Sequence, residues 1–197
     1  MSIRPILAWL ALIALAAPAA AQHGGARSAP TTPPREATQF DFLVGQWEAT
    51  MRVPASGLAQ RLHGTPKLVG TWKAWRALDG WGLDDELRIM DGSGNPLSLA
   101  RSVRVFDATA GKWAQSTLDV YRARFTTGTA EWRGDAMHVT GGGTDPEGRP
   151  YVSRTRFYDI SATGFKMQQD RSTDGGRTWT EGTLRLEAKR VADTAVR

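Results

Sequence analysis

The chain has 197 residues, no Cys, 25 Lys and Arg against 20 Asp and Glu, and a formal net charge of +5. Without Cys there are no disulfides, no thiolate metal ligands, no Cys nucleophile and no cysteine-linked lipid, so a folded state must rest on its core alone. The positive charge is spread over many Arg residues rather than gathered in a basic run, which argues against a nucleic-acid partner.

The first 21 residues read as an export signal. Arg4 supplies the positive start, Ile6 to Ala17 is an apolar run, and Ala19-Ala20-Ala21 gives a small-residue cleavage step before Gln22. As a helix that run rises about 18 Å, short of the roughly 30 Å of a bilayer core. The expectation is a cleaved signal, no membrane span afterwards, and a periplasmic or secreted protein. Residues 22–37 are small, polar and Pro-rich and read as a disordered tether that buries too little apolar surface to order itself. Residues 38–190 are expected to form one domain, and 191–197 a C-terminal tail.

The domain opens on a short apolar knot, Phe40-Asp41-Phe42-Leu43-Val44, which predicts a helical turn over Ala37–Val44 closing the base of a barrel. It runs into Gly45-Gln46-Trp47, and there a period-two strand begins: Trp47, Ala49, Met51 and Val53 to one side, Glu48, Thr50 and Arg52 to the other. The same alternation, broken by Gly, Asp and Pro, predicts strands over about 45–53, 67–77, 83–90, 97–106, 113–121, 122–126, 129–133, 136–140, 151–159, 165–172 and 178–190, some of them merging. Thr127-Gly128 and the stretch from Gly141 to Gly148 read as turns. The fold class is therefore all-β: a single antiparallel barrel of about ten strands, preferred over a sandwich because a meander removes its edges by closing. No repeat of fixed period suggests a propeller.

Gly45-Gln46-Trp47 resembles the Gly-x-Trp signature of lipocalin-like (calycin) barrels. That resemblance implies a Trp packed at the barrel base against a basic residue of the last strand, for which Arg185, Lys189 and Arg190 are the candidates. More closely, the chain resembles a group of uncharacterised bacterial exported proteins with a lipocalin-like barrel. The likeness rests on Phe40-Asp41-Phe42 with Val44-Gly45-Gln46-Trp47, on Val105-Phe106-Asp107-Ala108-Thr109-Ala110-Gly111-Lys112-Trp113, and on Ser172 to Trp179, in that order. It implies a fold and no activity. Ser172, Asp174, Gly176, Thr178 and Trp179 also resemble the Asp-box of sialidase-type propellers, where the motif is a structural hairpin outside the active site. One copy carries no glycosidase chemistry.

Candidate chemistry is sparse. His63 and His138 have no neighbour at metal-ligand spacing, so no metal or other cofactor is expected, and 178–190 offers no His for a haem. Asp85 should share a strand face with Leu83, Leu87 and Ile89. A carboxylate there needs a partner, for which Arg76, Arg101 and Arg154 are candidates, or it serves as a cavity base. Trp113, Gln115, Thr117 and Asp119 share one face. Arg154, Arg156 and Tyr158 share another, as do Lys166, Gln168 and Asp170, so a partly polar interior is expected. The leading reading is a barrel that binds a small, partly apolar molecule, with Trp75, Trp81, Tyr121, Arg156 and Gln168 as pocket residues. The rivals are an enzyme working through Asp85 or Asp119, and a protein-interaction module.

Overall fold

Strand β1 (Gly45–Arg52) buries Trp47, Ala49 and Met51 and exposes Glu48, Thr50 and Arg52, the alternation its sequence sets. In the computed structural model, which describes residues 32–55, 64–145 and 147–191, nine further strands follow. The expected signal, most of the tether, His23, His63 and the last six residues lie outside the described residues. The strands are β2 (Leu68–Ala77), β3 (Gly82–Asp91), β4 (Pro96–Asp107), β5 (Lys112–Asp119), β6 (Arg124–Arg133), β7 (Ala136–Thr144), β8 (Pro150–Tyr158), β9 (Gly164–Ser172) and β10 (Thr180–Arg190). Each pairs antiparallel with the next, and β1 pairs with β10, so the sheet is a closed ten-stranded meander with no free edge. It is compatible with a lipocalin-like barrel.

Two expectations change here. The segments read as separate strands on either side of Thr127-Gly128 are one strand, β6, and β7 runs on through Gly141, Gly142 and Gly143 to Thr144. Gly128 and Gly141 are not turn residues. They face each other across β6 and β7, where a Cβ on Gly128 would stand 2.5 Å from the Thr140 carbonyl oxygen and one on Gly141 2.9 Å from that of Thr127. The two backbones come too close for any side chain, and only Gly fits such an approach.

One end of the cylinder is plugged. Two 3-10 turns, Arg35–Thr38 and Asp41–Leu43, stand where a helical turn was expected and drive Ala37, Phe40 and Leu43 into the base. The first takes in the last residues of the stretch read as tether. Phe40 meets Trp113 edge-on at 4.9 Å, Trp47 meets Phe165 at 5.0 Å, and Phe157 and Met137 complete the floor. Large apolar side chains buried this fully contribute about 1.5–3 kcal/mol each, so the floor dominates the core.

The Gly-x-Trp step has a mechanical explanation. Trp47 donates its indole N–H to the Leu43 carbonyl at 2.7 Å, tying strand to plug. Of the three basic candidates it is Arg190 that lies over Trp47, its guanidinium carbon 4.0 Å from the ring centroid. Arg190 also donates to the carbonyls of Val44 (2.9 Å) and Ala162 (2.7 Å). That guanidinium passes directly over Gly45, whose φ is +130°, and a Cβ there would overlap Arg190 Nη1. Gly45→Ala is therefore expected to destabilise the protein by about 1–3 kcal/mol in urea unfolding. Part of that loss should vanish when the same change is made in Arg190→Ala, since the overlap is then gone while the strain of the positive φ remains. Equal losses in both backgrounds would refute the account.

Candidate functional site

Above the floor the barrel is not filled. Cross-strand register places Leu83, Asp85, Leu87 and Ile89 of β3 inward beside Arg104, Ser102, Ala100 and Ser98 of β4, and these beside Gln115, Thr117 and Asp119 of β5. A deep chamber of about 170 Å³ lies against Trp72, Leu87, Val139, Phe157, Met167 and Leu184, with Asp85, Arg104 and Gln115 in its wall. A wider chamber of about 430 Å³ opens at the far end, lined by Ser98, Asp119, Arg122, Arg124, Tyr151 and Arg171. Asp145 and Thr126 also border it, and Ala100, Thr117 and Gln169 are walls of both chambers.

The deep chamber holds a buried ion pair. Asp85 is 1% exposed and Arg104 5%, and Nη1 of Arg104 meets Oδ2 of Asp85. The indole of Trp72 donates to Asp85 Oδ1 at 2.9 Å, and the Arg104 guanidinium lies 5.2 Å from the Phe40 ring, so the pair rests on the plug. Burial lowers the Arg104 pKa to about 10, which still leaves it charged at neutral pH beside its carboxylate. An ion pair at Asp85 was expected, but with another partner. Arg76 binds Asp41, Arg101 binds Asp84, and Arg154 binds Asp170. Arg101 and Arg154 are on the outer surface, where alternation puts their strand positions, whereas Arg104 has the inward parity of Ser102 and Phe106.

Three buried polar atoms have no hydrogen-bonding partner among the described residues and belong to the lumen wall: Arg104 Nε, Gln115 Oε1 and Arg171 Nε. Arg104 and Gln115 are direct cross-strand neighbours. At the open end Asp119 is bound by Arg122 at 2.8 Å, and Asp145 by Arg149 at 2.6 Å. Arg124 donates to the Asp145 carbonyl at 2.6 Å, and Arg171 stacks on Tyr151 at 4.0 Å; neither has a carboxylate partner among the described residues.

The five expected pocket residues do not come together. Trp75 points outward, 39% exposed, beneath Arg101; Trp72, three residues earlier and in the same strand's inward set with Gly70 and Ala74, is the one that reaches the lumen. Trp81 follows the 3-10 turn Leu78–Gly80 at the plugged end. Tyr121 is exposed on the rim of the open end, in the turn between β5 and β6. Arg156 and Gln168 oppose each other on the outer surface, bordering an external groove of about 390 Å³ with His138, Arg133 and Arg154. They face outward because Phe157 and Met167, next to them in sequence, are drawn into the floor. The groove's Asp170 and Glu181 are both held by Arg154, and burial, then Arg133 and Arg156, lower the His138 pKa. Among the described residues no three His, Asp or Glu side chains gather to hold a metal ion, and no helix is long and apolar enough to cross a membrane.

The expected polar interior is thus present on β5 but not from Arg154, Arg156, Lys166 and Asp170. Arg104, Arg124, Gln169 and Arg171 supply it, residues the sequence did not single out. Arg171 and Gln169 share the parity of Met167 and Phe165, a signal that was readable once the floor was assigned.

The hairpin from Ser172 to Trp179 rims the same open end. Asp174 accepts bonds from the backbone N–H of Arg177 (3.0 Å) and Thr178 (2.9 Å), and from the hydroxyls of Ser172 (2.7 Å) and Thr178 (2.7 Å). Trp179 donates to the Gly176 carbonyl at 3.0 Å, and Arg154 lies over its ring. Every motif residue is spent on the turn.

No family model and no curated protein matches this chain.

Two outcomes follow from this geometry. Arg104→Leu leaves Asp85 buried without its counter-charge and should cost about 3–5 kcal/mol by chemical denaturation, while Arg104→Leu with Asp85→Leu should recover most of it. A double variant no more stable than the single one would contradict the pairing. Hydrogen bonds from Thr178 and then Ser172 hold the Asp174 carboxyl far below its ordinary 3.8. A depressed folded pKa stabilises above the unfolded pKa and is lost as pH falls toward the folded one. The melting-temperature gap between wild type and Asp174→Asn should therefore be constant near neutrality and narrow below about pH 4. A gap that widens in acid would show the assignment to be wrong.

Proposed function

We propose that this chain is an exported, lipocalin-like barrel that binds a small, partly apolar molecule in its lumen, without catalysing a reaction on it. The observation that carries the reading is the lumen itself. A deep chamber with apolar walls opens into a wider polar one, and buried polar atoms in both lack partners. Ligand sites commonly combine apolar walls with a few fixed polar groups in this way. Export is supported by the leader-like first 21 residues, and membership of the exported lipocalin-like group by the three motif steps quoted above.

Acid–base work is the weaker reading. Asp85 is bound by both Arg104 and Trp72, and Asp119 by Arg122, so both carboxylates are already engaged by donors of the protein itself. A protein-interaction role has one observation in its favour. Val120, Tyr121 and Phe125 expose apolar surface around the β5–β6 turn, Phe125 to 71%.

The test is native mass spectrometry of the protein purified from its own host. A bound small molecule is expected, and Ala100→Trp, which fills the wall common to both chambers, should release it. An unliganded spectrum for the unaltered protein at every charge state would argue against the proposal, as would a ligand retained by Ala100→Trp.

A further inference from the structure

Resting on the lumen reading above, we infer that the ligand is a carboxylate carried on a compact apolar body, with the carboxylate held by Arg171 and Arg124 in the outer chamber. The charged residues lining that chamber are Arg122, Arg124 and Arg171 against Asp119 and Asp145. Both carboxylates already have arginine partners, Arg122 for Asp119 and Arg149 for Asp145. Two guanidinium groups thus face the chamber without a carboxylate. A guanidinium kept from full solvation attracts an anion more strongly than an exposed one.

Arg171 is built for the task. Its guanidinium is stacked on Tyr151 at 4.0 Å, which fixes its plane, and its Nε is buried without a partner among the described residues. A fixed guanidinium edge with free N–H groups matches the two oxygens of a carboxylate.

The rest of the molecule has a path inward. One inward row runs Arg104, Gln115, Gly128, Gly141, Ser153, Arg171 across six adjacent strands. At its middle the two glycines leave the wall without side chains. Their backbones are too close to admit any. At its far end Arg104, 5% exposed, and Gln115 stand in the wall of the deep chamber, and Arg104 Nε and Gln115 Oε1 are buried without a partner among the described residues. The walls common to both chambers, Ala100, Thr117 and Gln169, join the anion end to a chamber whose other walls are Trp72, Leu87, Phe157 and Met167. A body that is mostly apolar, with one group able to hydrogen-bond, fits there; an aliphatic chain fits the apolar walls alone.

The experiment compares head groups on one body. Octanoate, 1-octanol and octylamine are titrated into the purified protein by calorimetry, alongside Ala100→Trp and Arg171→Met. Octanoate is expected to bind at least about tenfold more tightly than octanol, with octylamine weaker still, the margin typical of a hydrogen bond to a charged group. Arg171→Met should bring octanoate down to the level of octanol while octanol is unchanged. Ala100→Trp should abolish all binding. If octanol matches octanoate, or octylamine exceeds it, the carboxylate assignment falls and the lumen reading stands. If no probe binds, or Ala100→Trp binds them all as before, both fall. Should Arg171→Met fail to fold, the ranking of the three head groups on the unaltered protein still decides.

Discussion

The seam between β1 and β10 is the constraint on which the rest of this molecule depends. There Trp47 opposes Arg190, and Arg190 reaches across Gly45 to the plug that precedes the first strand. A sheet that closes on itself must satisfy one register all the way round, and a slip of one residue would turn every inward side chain outward. Trp47 and Arg190 hold the first and last strands at a single offset. The carbonyls of Val44 and Ala162, both bound by the same guanidinium, fix that offset to the base of the barrel. With the seam set, the inward positions of the eight intervening strands follow by pairing alone.

Strand tilt then explains why the interior is divided. One register row begins at Trp47 and Trp72 in the floor and arrives, four strands later, at Asp119 and Arg124 at the open end. Apolar side chains crowd where the plug supplies Phe40 and Leu43 to meet them. Where nothing descends to meet the wall, inward positions carry Ser, Thr, Gln and Arg. The Asp85–Arg104 pair marks the boundary. It is buried as deeply as the core, rests on Phe40, and borders the deep chamber. A buried pair of this kind is weak evidence for stability, because apolar residues of similar volume often do as well.

The fold was legible because strands with one apolar face declare both their type and their orientation. Trp47, Ala49 and Met51, and Leu83 with Leu87 and Ile89, needed no structure to be placed. The site was less legible for three separate reasons. Gly128 and Gly141 have the same letters as turn glycines, and only the facing backbone shows that they mark a close approach instead. Strands β8 and β9 carry polar residues on both faces, so Arg156 and Gln168 could be assigned inward only by a guess that Phe157 and Met167 contradict. The partner of Asp85 required the offset between β3 and β4, which no single strand contains; Arg101 and Arg104 differ by an odd step, and that step decides which of them meets the lumen. Trp72 is a different case. Its alternation with Gly70 and Ala74 distinguishes it from the outward Trp75 in the sequence itself.

A barrel with polar inward positions can be explained in two ways, as a core made poorly or as a wall made for something else. The distribution of satisfied and unsatisfied groups separates them. A careless interior would leave carboxylates and guanidinium groups unpaired at random. Here Asp85, Asp119 and Asp145 all have arginine partners, while the unpartnered buried atoms in the lumen wall include two guanidinium nitrogens. Buried polar atoms without partners are costly, about 1–3 kcal/mol each, and native proteins keep few of them. Three of them lie in one register row, at Arg104, Gln115 and Arg171, residues that line the two chambers. In the middle of that row Gly128 and Gly141 admit no side chain, since any Cβ would strike the neighbouring strand, so that stretch is bare by a property of the backbone.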